Sequence, residues 1–462
     1  MNGTATIINY TANAHAIVSA AGRISTTPGS ADEIYRNSSE NAPSANLKLI
    51  GKILSSGHES VLEHVSVNLS FDNVSVYVEQ FMIEFRLASF TVKSRRYVDF
   101  GQMGYVTPDF SSFPALQEKD LRTTYQNHME YLFGRYSYLI EKGVPKEDAR
   151  FVLPYSFQSN FYCTVNGREL IKIMNEMAWG RGKDFPELVR LGRSLFDQCR
   201  QCLPFLAVQK TAFDLRQSLD RHLADDLKNS SVDIKEGNTV TLLRGTRHPE
   251  QLICQAALLG CGICRLDEAE PVHTEMQKTI IAQILKSSRK RELEQACFTL
   301  RFNRISLAGI THLVRHRMQS AVIPDYIRTC SFGRYVVPES IVHLGLEEEY
   351  REVFRKAGKA ADRLGKMGIP FHDRIYLLLS GMTLPVMTTM NANELNTFIR
   401  LRTCNRAQWE IKECADALLK ILRETYPVLF SFYGPSCFVS GTCPEGRMSC
   451  GKMREVREFY GM

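Results

Sequence analysis

Two short blocks hold the side chains whose type and spacing suggest chemistry. Arg315-His316-Arg317-Met318-Gln319-Ser320 sets two guanidinium groups around an imidazole, with a hydroxyl three residues further on. Arginine offers forked donors and a permanent charge, so such a block suits a phosphate or pyrophosphate. By itself the triplet is a weak signal, because Arg-His-Arg also occurs on solvated helix faces. Ser94-Arg95-Arg96-Tyr97 is the second block. The thiols are less suggestive. Cys261-Gly-Ile-Cys264 is the one CxxC among 13 cysteines, and no second pair or nearby histidine completes a zinc set. It falls in an apolar, helix-like run from Leu252 to Ile263, where core packing is the expected role. Cys437, Cys443 and Cys450 are close enough in sequence for a three-thiolate cluster, but no histidine follows His372. No metal is expected.

The elements that must position these blocks are written twice. His58-Glu59-Ser60-Val61-Leu62-Glu63-His64 before an apolar run recurs as Arg289 to Gln295 before Ala296-Cys297-Phe298-Thr299-Leu300. Thr164-Val165-Asn166-Gly167-Arg168-Glu169-Leu170 recurs as Thr389-Met390-Asn391-Ala392-Asn393-Glu394-Leu395. An offset of about 225 to 231 residues joins these pairs. The copies have lost different residues. The counterpart of Arg315-His316-Arg317 is Glu84-Phe85-Arg86, and that of Ser94-Arg95-Arg96 is Asp325-Tyr326-Ile327. Ser331-Phe332-Gly333-Arg334-Tyr335 imitates the lost serine and arginine, but the spacing aligns Tyr335-Val336-Val337-Pro338 with Tyr105-Val106-Thr107-Pro108.

At 462 residues the chain exceeds one ordinary core, and the repeat divides it into residues 1–229 and 230–462. Hydrophobic content of 44% and charged content of 23% are those of a globular protein. No segment is long and apolar enough to cross a bilayer, and the first residues are too polar for a secretory signal. A cytoplasmic protein with reduced thiols is expected. The net charge of +7 is modest, and aromatic residues do not interleave with basic ones. Small anionic ligands are therefore expected rather than nucleic acid or membrane. Each copy should open with a helix, Ala16 to Arg23 and Pro249 to Cys264, followed by a second helix. Strands at Val65 to Val76 and Ala296 to Ile305 come next, then a helix carrying the arginine-rich block. A longer helical region leads to strands around Asn160 to Val165 and Pro385 to Met390. Helices follow from Arg168, and over Asn393 to Ile399 and Ala407 to Thr425. This ordering is α+β, and no Gly-x-Gly-x-x-Gly follows a strand, so the fold is not a Rossmann fold.

Together these blocks resemble flavin-dependent thymidylate synthases, whose signature runs Arg-His-Arg, two residues, Ser, one residue, Asn, two residues, Ser, one residue, Arg. The first copy keeps Arg86, Ser89, Ser94 and Arg96; the second keeps Arg315, His316, Arg317 and Ser320. The signature asparagine is Thr91 in one and Val322 in the other. The blocks at His58 to His64, Glu147-Asp148-Ala149-Arg150-Phe151-Val152-Leu153-Pro154, and Leu401-Arg402 to Ile411 also look like family blocks in family order. The resemblance implies two tandem copies of that fold, a mixed sheet with packed helices, and a homodimer forming a pseudo-tetramer.

It also implies roles. Ser94, Arg96 and Arg150 would hold the phosphate of deoxyuridine monophosphate, and Arg315 and Arg402 the pyrimidine end. FAD would be held by Arg315, His316 and Arg317 together with His58, Glu59, Glu63, Asn166 and Arg168. Arg402 would stabilise the enolate-like charge that grows on the ring when C5 is methylated. Methylenetetrahydrofolate and NADPH are the implied co-substrates, the flavin carrying the hard chemistry. The losses are complementary: Met177 stands opposite Arg402, and Ile375 opposite Arg150. The reading is a composite site drawing on both copies. C5 modification of another pyrimidine nucleotide and a non-catalytic nucleotide- or flavin-binding paralogue are the alternatives.

Overall fold

Alternation of apolar and polar residues builds two four-stranded sheets in the computed structural model, which describes residues 3–210, 239–263 and 272–461. In β2 (Ser66–Ser75), Val67, Leu69 and Phe71 point inward, fully buried, as do Phe298, Leu300 and Phe302 of β6 (Cys297–Ser306). Each such side chain contributes about 1.5 to 3 kcal/mol of burial. The first sheet runs β1 (Thr4–Tyr10), β2, β4 (Gln158–Asn166), β3 (Ala88–Val92). The second repeats that order with β5 (Val240–Gly245), β6, β8 (Thr383–Asn391) and β7 (Gln319–Val322).

The repetition extends to irregularities. Register shifts fall between Ile7 and Asn9 and again between Leu242 and Arg244, then between Phe71 and Val74 and between Phe302 and Ile305. Ser66 faces Asn166 as Cys297 faces Asn391. The bridges Tyr105 to Phe157 and Tyr335 to Met382 match the alignment of Tyr335 with Tyr105.

The α+β class and the doubling hold, with three corrections. Every pairing among the described strands is antiparallel, so the sheets are not mixed. Each described copy opens on a strand, not a helix; β1 and β5 are edge strands whose exposed Ile8 and Leu243 blur the alternation. The arginine block is not on a helix. The helix Leu307–Leu313 stops short of it, and residues 314–318 turn into β7.

By compactness the chain forms two units whose edges differ from the repeat edges. One holds the first repeat together with Val337–Ser380; the other holds the rest of the second repeat. Within the first unit the long helices Ala115–Glu141 and Glu347–Lys366 pack together, with Lys356 over the Tyr131 ring at 5.2 Å and Gln117 donating to the Met367 carbonyl at 2.9 Å. The expected boundary at 229/230 lies outside the described residues. No described helix is long and apolar enough to cross a membrane.

Candidate active site

In the second repeat a buried carboxylate fixes the helix that delivers the arginine block. Glu410 Oε1 accepts from the Ser306 backbone N–H at 2.6 Å and Oε2 from its hydroxyl, while Ser306 Oγ caps the helix by accepting from Gly309 N–H at 2.8 Å. A Cβ at Gly309 would lie 2.8 Å from Glu410 Oε2, so only glycine lets the carboxylate approach. The first repeat uses the same device: Glu187 Oε1 accepts from Ser75 N–H at 2.9 Å. Past Leu313, the carbonyl of that residue receives His316 N–H at 3.1 Å and Gln319 Nε2 at 2.6 Å. Arg315 and Arg317 are left exposed on the turn and His316 is driven inward, 5% exposed.

The helix Ala392–Arg402 supplies the partners. Asn391 caps it, accepting from Glu394 N–H at 2.8 Å, and Leu395, Phe398 and Ile399 bury its apolar face. Glu394 Oε1 lies 2.9 Å from His316 Nδ1. At the last residue Arg402 donates from Nε to His316 Nε2 at 3.0 Å and from Nη2 to the His312 carbonyl at 3.0 Å. Guanidinium nitrogens can only donate, so Nε2 must be the acceptor and the ring proton sits on Nδ1, facing Glu394. Burial pushes the His316 pKa down, Glu394 pulls against it, and the Arg402 charge lowers it further, leaving it below the ordinary histidine value. Burial, then the neighbouring Arg315 charge, lower Arg402 to about 10. It remains a cation at neutral pH.

The first repeat has dismantled this arrangement. Phe85 stands for His316 and fully buried Met177 for Arg402. Glu84, which replaces Arg315, pairs with Arg181 at 2.9 Å, and the Arg181 guanidinium lies 4.7 Å from the Phe81 ring centroid and 5.6 Å from that of Phe85. What is a cationic surface in one copy is an ion pair over aromatic rings in the other.

What the first repeat keeps is a different set. Beyond β3, Ser94 Oγ accepts from Arg96 N–H at 3.3 Å, and Arg96 Nε meets Glu147 Oε2 at 2.6 Å. Arg150, buried, donates from Nε to the Glu147 carbonyl at 3.0 Å. Arg96 and Arg150 thus both meet Glu147, one at its carboxylate and the other at its carbonyl, and Ser94 holds the backbone of Arg96. Arg95 turns the other way, into the core, where it pairs with buried Glu79.

The third set lies at the other end of β4, about 20 Å away by strand rise. Arg168 bonds Glu63 at 2.7 Å and approaches Glu59 at 3.7 Å, and Lys210 pairs with Glu59 at 2.7 Å. Asn166 spends its side-chain oxygen on the Glu169 N–H at 2.8 Å, as a helix cap. His58 sits exposed at the start of the turn Glu59–His64.

The thymidylate synthase complementing protein (Thy1) family model matches residues 6–205 and again 241–428. The chain belongs to this family. The flavin-dependent thymidylate synthase of Geobacter sulfurreducens is 35% identical over 230 residues, 48% of this chain and 97% of that protein. That of Clostridium tetani is 29% identical over 243 residues, again 48% of this chain and 97% of the relative. Each of these two relatives is therefore about one repeat long. The UMP/dUMP methylase PolB from Streptomyces cacaoi, solved with 5-Br dUMP, is 21% identical over 46% of this chain and 97% of its own, with a TM-score of 0.38, too distant a superposition to add weight.

The donor sets are suited to a flavin nucleotide in part. Exposed Arg315 and Arg317 match an anionic pyrophosphate, whereas the Arg168 set balances two cations with two carboxylates and suits a neutral hydrogen-bonding group. Three participants were not singled out from sequence: Glu394, Glu147 and Arg181. Glu394 carried a signal, since Asn-x-x-Glu-Leu stands in both copies. Cys261 is exposed past the end of the helix Pro249–Gly260, not in the core, because the helix is capped short at Gly262; Cys264 lies outside the described residues. Cys404 is a thiol pushed up by burial, with its sulfur receiving Arg406 N–H at 3.5 Å. Cys437, Cys443 and Cys450 form no group that could hold a metal among the described residues.

Proposed function

We propose that this chain is a flavin-dependent thymidylate synthase, methylating deoxyuridine monophosphate at C5 with methylenetetrahydrofolate and NADPH as co-substrates. One observation carries the reading: the second repeat holds a guanidinium partly withdrawn from water, Arg402, by two of its donors, with no hydrogen-bond partner for Nη1 among the described residues, while the first repeat has buried Met177 at that position. A pre-aimed cation of this kind stabilises negative charge on the uracil ring as C5 attacks, without giving up a proton. Ser94, Arg96 and Arg150 bind the phosphate, and Arg315 and Arg317 the anionic part of FAD. FAD, when bound, supplies the hydride and one-carbon relay. Glu59, Glu63, Arg168, Asn166 and His58 serve its remaining polar groups. Cys404 takes no part as nucleophile, since burial, helped by the nearby Glu445 charge, keeps it a thiol. The complementary losses support giving the phosphate end to the first repeat and the pyrimidine end to the second, in a homodimer.

The purified protein should be yellow, oxidise NADPH and release tritium from C5-labelled deoxyuridine monophosphate. Arg402→Ala should cut release roughly 100- to 1000-fold through kcat, and Arg96→Ala should weaken it about 10- to 100-fold through KM. Full activity in either variant sinks the division of labour. A second reading has its own support, the replacement of the signature asparagine by Thr91 and by exposed Val322. It predicts that another pyrimidine nucleotide, uridine or deoxycytidine monophosphate, turns over faster than deoxyuridine monophosphate.

A further inference from the structure

We infer that Glu394 and His316 are positioning residues: a two-member relay that aims the Arg402 guanidinium, with the imidazole serving as a hydrogen-bond acceptor for Arg402 and not as a ligand for flavin or nucleotide. This rests on the role proposed above for Arg402.

Both ring nitrogens of His316 are committed, one to Glu394 at 2.9 Å and the other to Arg402 at 3.0 Å, and both partner side chains are fixed by the same helix. Phe398 packs against the ring edge to face, at 5.0 Å between ring centroids. Glu394 is itself seated at the third position of the helix, where the Asn391 cap fixes its backbone. Residues 394, 398 and 402 succeed one another at four-residue steps, so one stripe of the helix carries the acceptor, the wall and the guanidinium. The groups facing the imidazole are Glu394 and Arg402 from this helix; Arg402 in turn has the Arg315 charge beside it and gives its second donor to the His312 carbonyl, at the end of the helix Leu307–Leu313. A cation in place of the neutral ring would lose its acceptor nitrogen and repel Arg402. Acidic Glu394 therefore works by selecting the Nδ1–H tautomer, since a neutral imidazole with its proton there must present Nε2 to Arg402.

The first repeat supplies an internal control. Its glutamate is retained as Glu169, on an identical Asn166 cap, but the ring is Phe85 and the guanidinium is Met177. Histidine and arginine were lost as a pair. Glu169 instead lies 3.8 Å from Lys172, on its own helix. The loss extends to Arg315, which is Glu84 there, so the histidine and the guanidinium it holds went together with the arginine beside them.

The test combines kinetics with nitrogen-15 NMR of the full chain. Glu394→Ala should cut the tritium-release kcat roughly 10- to 100-fold, as misaiming a catalytic group does, with KM for the nucleotide changing less than about threefold. Glu394→Gln, which keeps the acceptor, should recover most of that loss. His316→Phe, a residue the fold already accommodates at Phe85, should resemble Glu394→Ala. In an Arg402→Ala background neither change should lower the residual rate by more than about twofold, because the relay then has nothing to aim. Losses that multiply with Arg402→Ala, or a flavin content that falls with His316→Phe, would overturn the relay. Should the wild type release no tritium, the functional reading fails and NMR decides the relay separately. His316 protonated on Nδ1 and bare on Nε2 at pH 7 supports it; a proton on Nε2, or on both nitrogens, overturns it.

Discussion

Replacing Arg402 by methionine gives the second repeat the residue that the first already carries at the matching position, Met177, which the fold buries completely. The substitution removes one Nε donor, one Nη2 donor and the charge, and leaves the neighbouring backbone as it is. Arg402 sits at about 10, two units above an assay at pH 8, so about 99% of it is cationic there and the charge is lost outright. Removing one pre-aimed donor to a developing oxyanion costs about 2.7 to 4 kcal/mol, or roughly 100- to 1000-fold in kcat. The expected damage to the fold is smaller. His316 Nε2 loses its donor, a cost of about 1 to 3 kcal/mol, and the Arg402 charge no longer opposes a proton on the ring, so the His316 pKa rises while burial still holds it down. The assay is tritium release from C5-labelled deoxyuridine monophosphate, with flavin content and thermal melting measured on the same preparation. A variant that melts normally, holds its flavin and still releases tritium within tenfold of the wild-type rate would refute the role given to Arg402.

The remaining expectations are briefer. Arg96→Ala should raise KM for the nucleotide about 10- to 100-fold, in keeping with about 1.5 to 3 kcal/mol for a charged hydrogen bond, and free inorganic phosphate should protect the wild type but not the variant from proteolysis. Glu410→Ala strips both acceptors from Ser306 and should lower stability by about 2 to 4 kcal/mol in a denaturant titration, because a buried N–H and a hydroxyl lose their partners. His128, inside the helix Ala115–Glu141, is held by burial at about 4 against 6.5 unfolded, so the unfolded chain binds the extra proton and stability falls as pH drops from 6.5 toward 4. The ceiling on that loss is about 3 kcal/mol, and His128→Leu should flatten the acid limb of a melting-temperature profile. Asp373 runs the opposite way: burial, then Asp109, raise it to about 7 from 3.8, so the folded chain binds the proton and stability falls as pH rises through that window. Asp373→Asn should melt higher than wild type at pH 8 and nearly alike at pH 4.

The doubling, the α+β class and the opposition of Arg402 to Met177 were all legible in the residues, because each rests on local pattern or on comparing one copy with the other. Strands with one buried face announce themselves by period two, and so β2, β4, β6 and β8 were found. The edge strands were not, since β1, β3, β5 and β7 pair on one side only and leave residues such as Ile8, Leu243 and Val322 exposed. The turn that carries Arg315 and Arg317 was misread as helix for a related reason. His316 looked like a basic residue among basic residues, and nothing local says that its ring is swallowed while its neighbours stay in water.

By itself the sequence determined the chemical inventory: which copy owns the guanidiniums, which owns the serine, and where each capping asparagine starts its helix. Tertiary structure decided which of those groups act on one another. Glu394 and Arg402 are eight residues apart, and His316 lies 78 residues from the first and 86 from the second. Their meeting depends on β8 pairing beside β7, on the Glu410 clamp at Ser306, and on burial that forces a buried nitrogen to find a partner. Desolvation makes an unpaired polar atom costly, and only the folded chain brings the partner within reach.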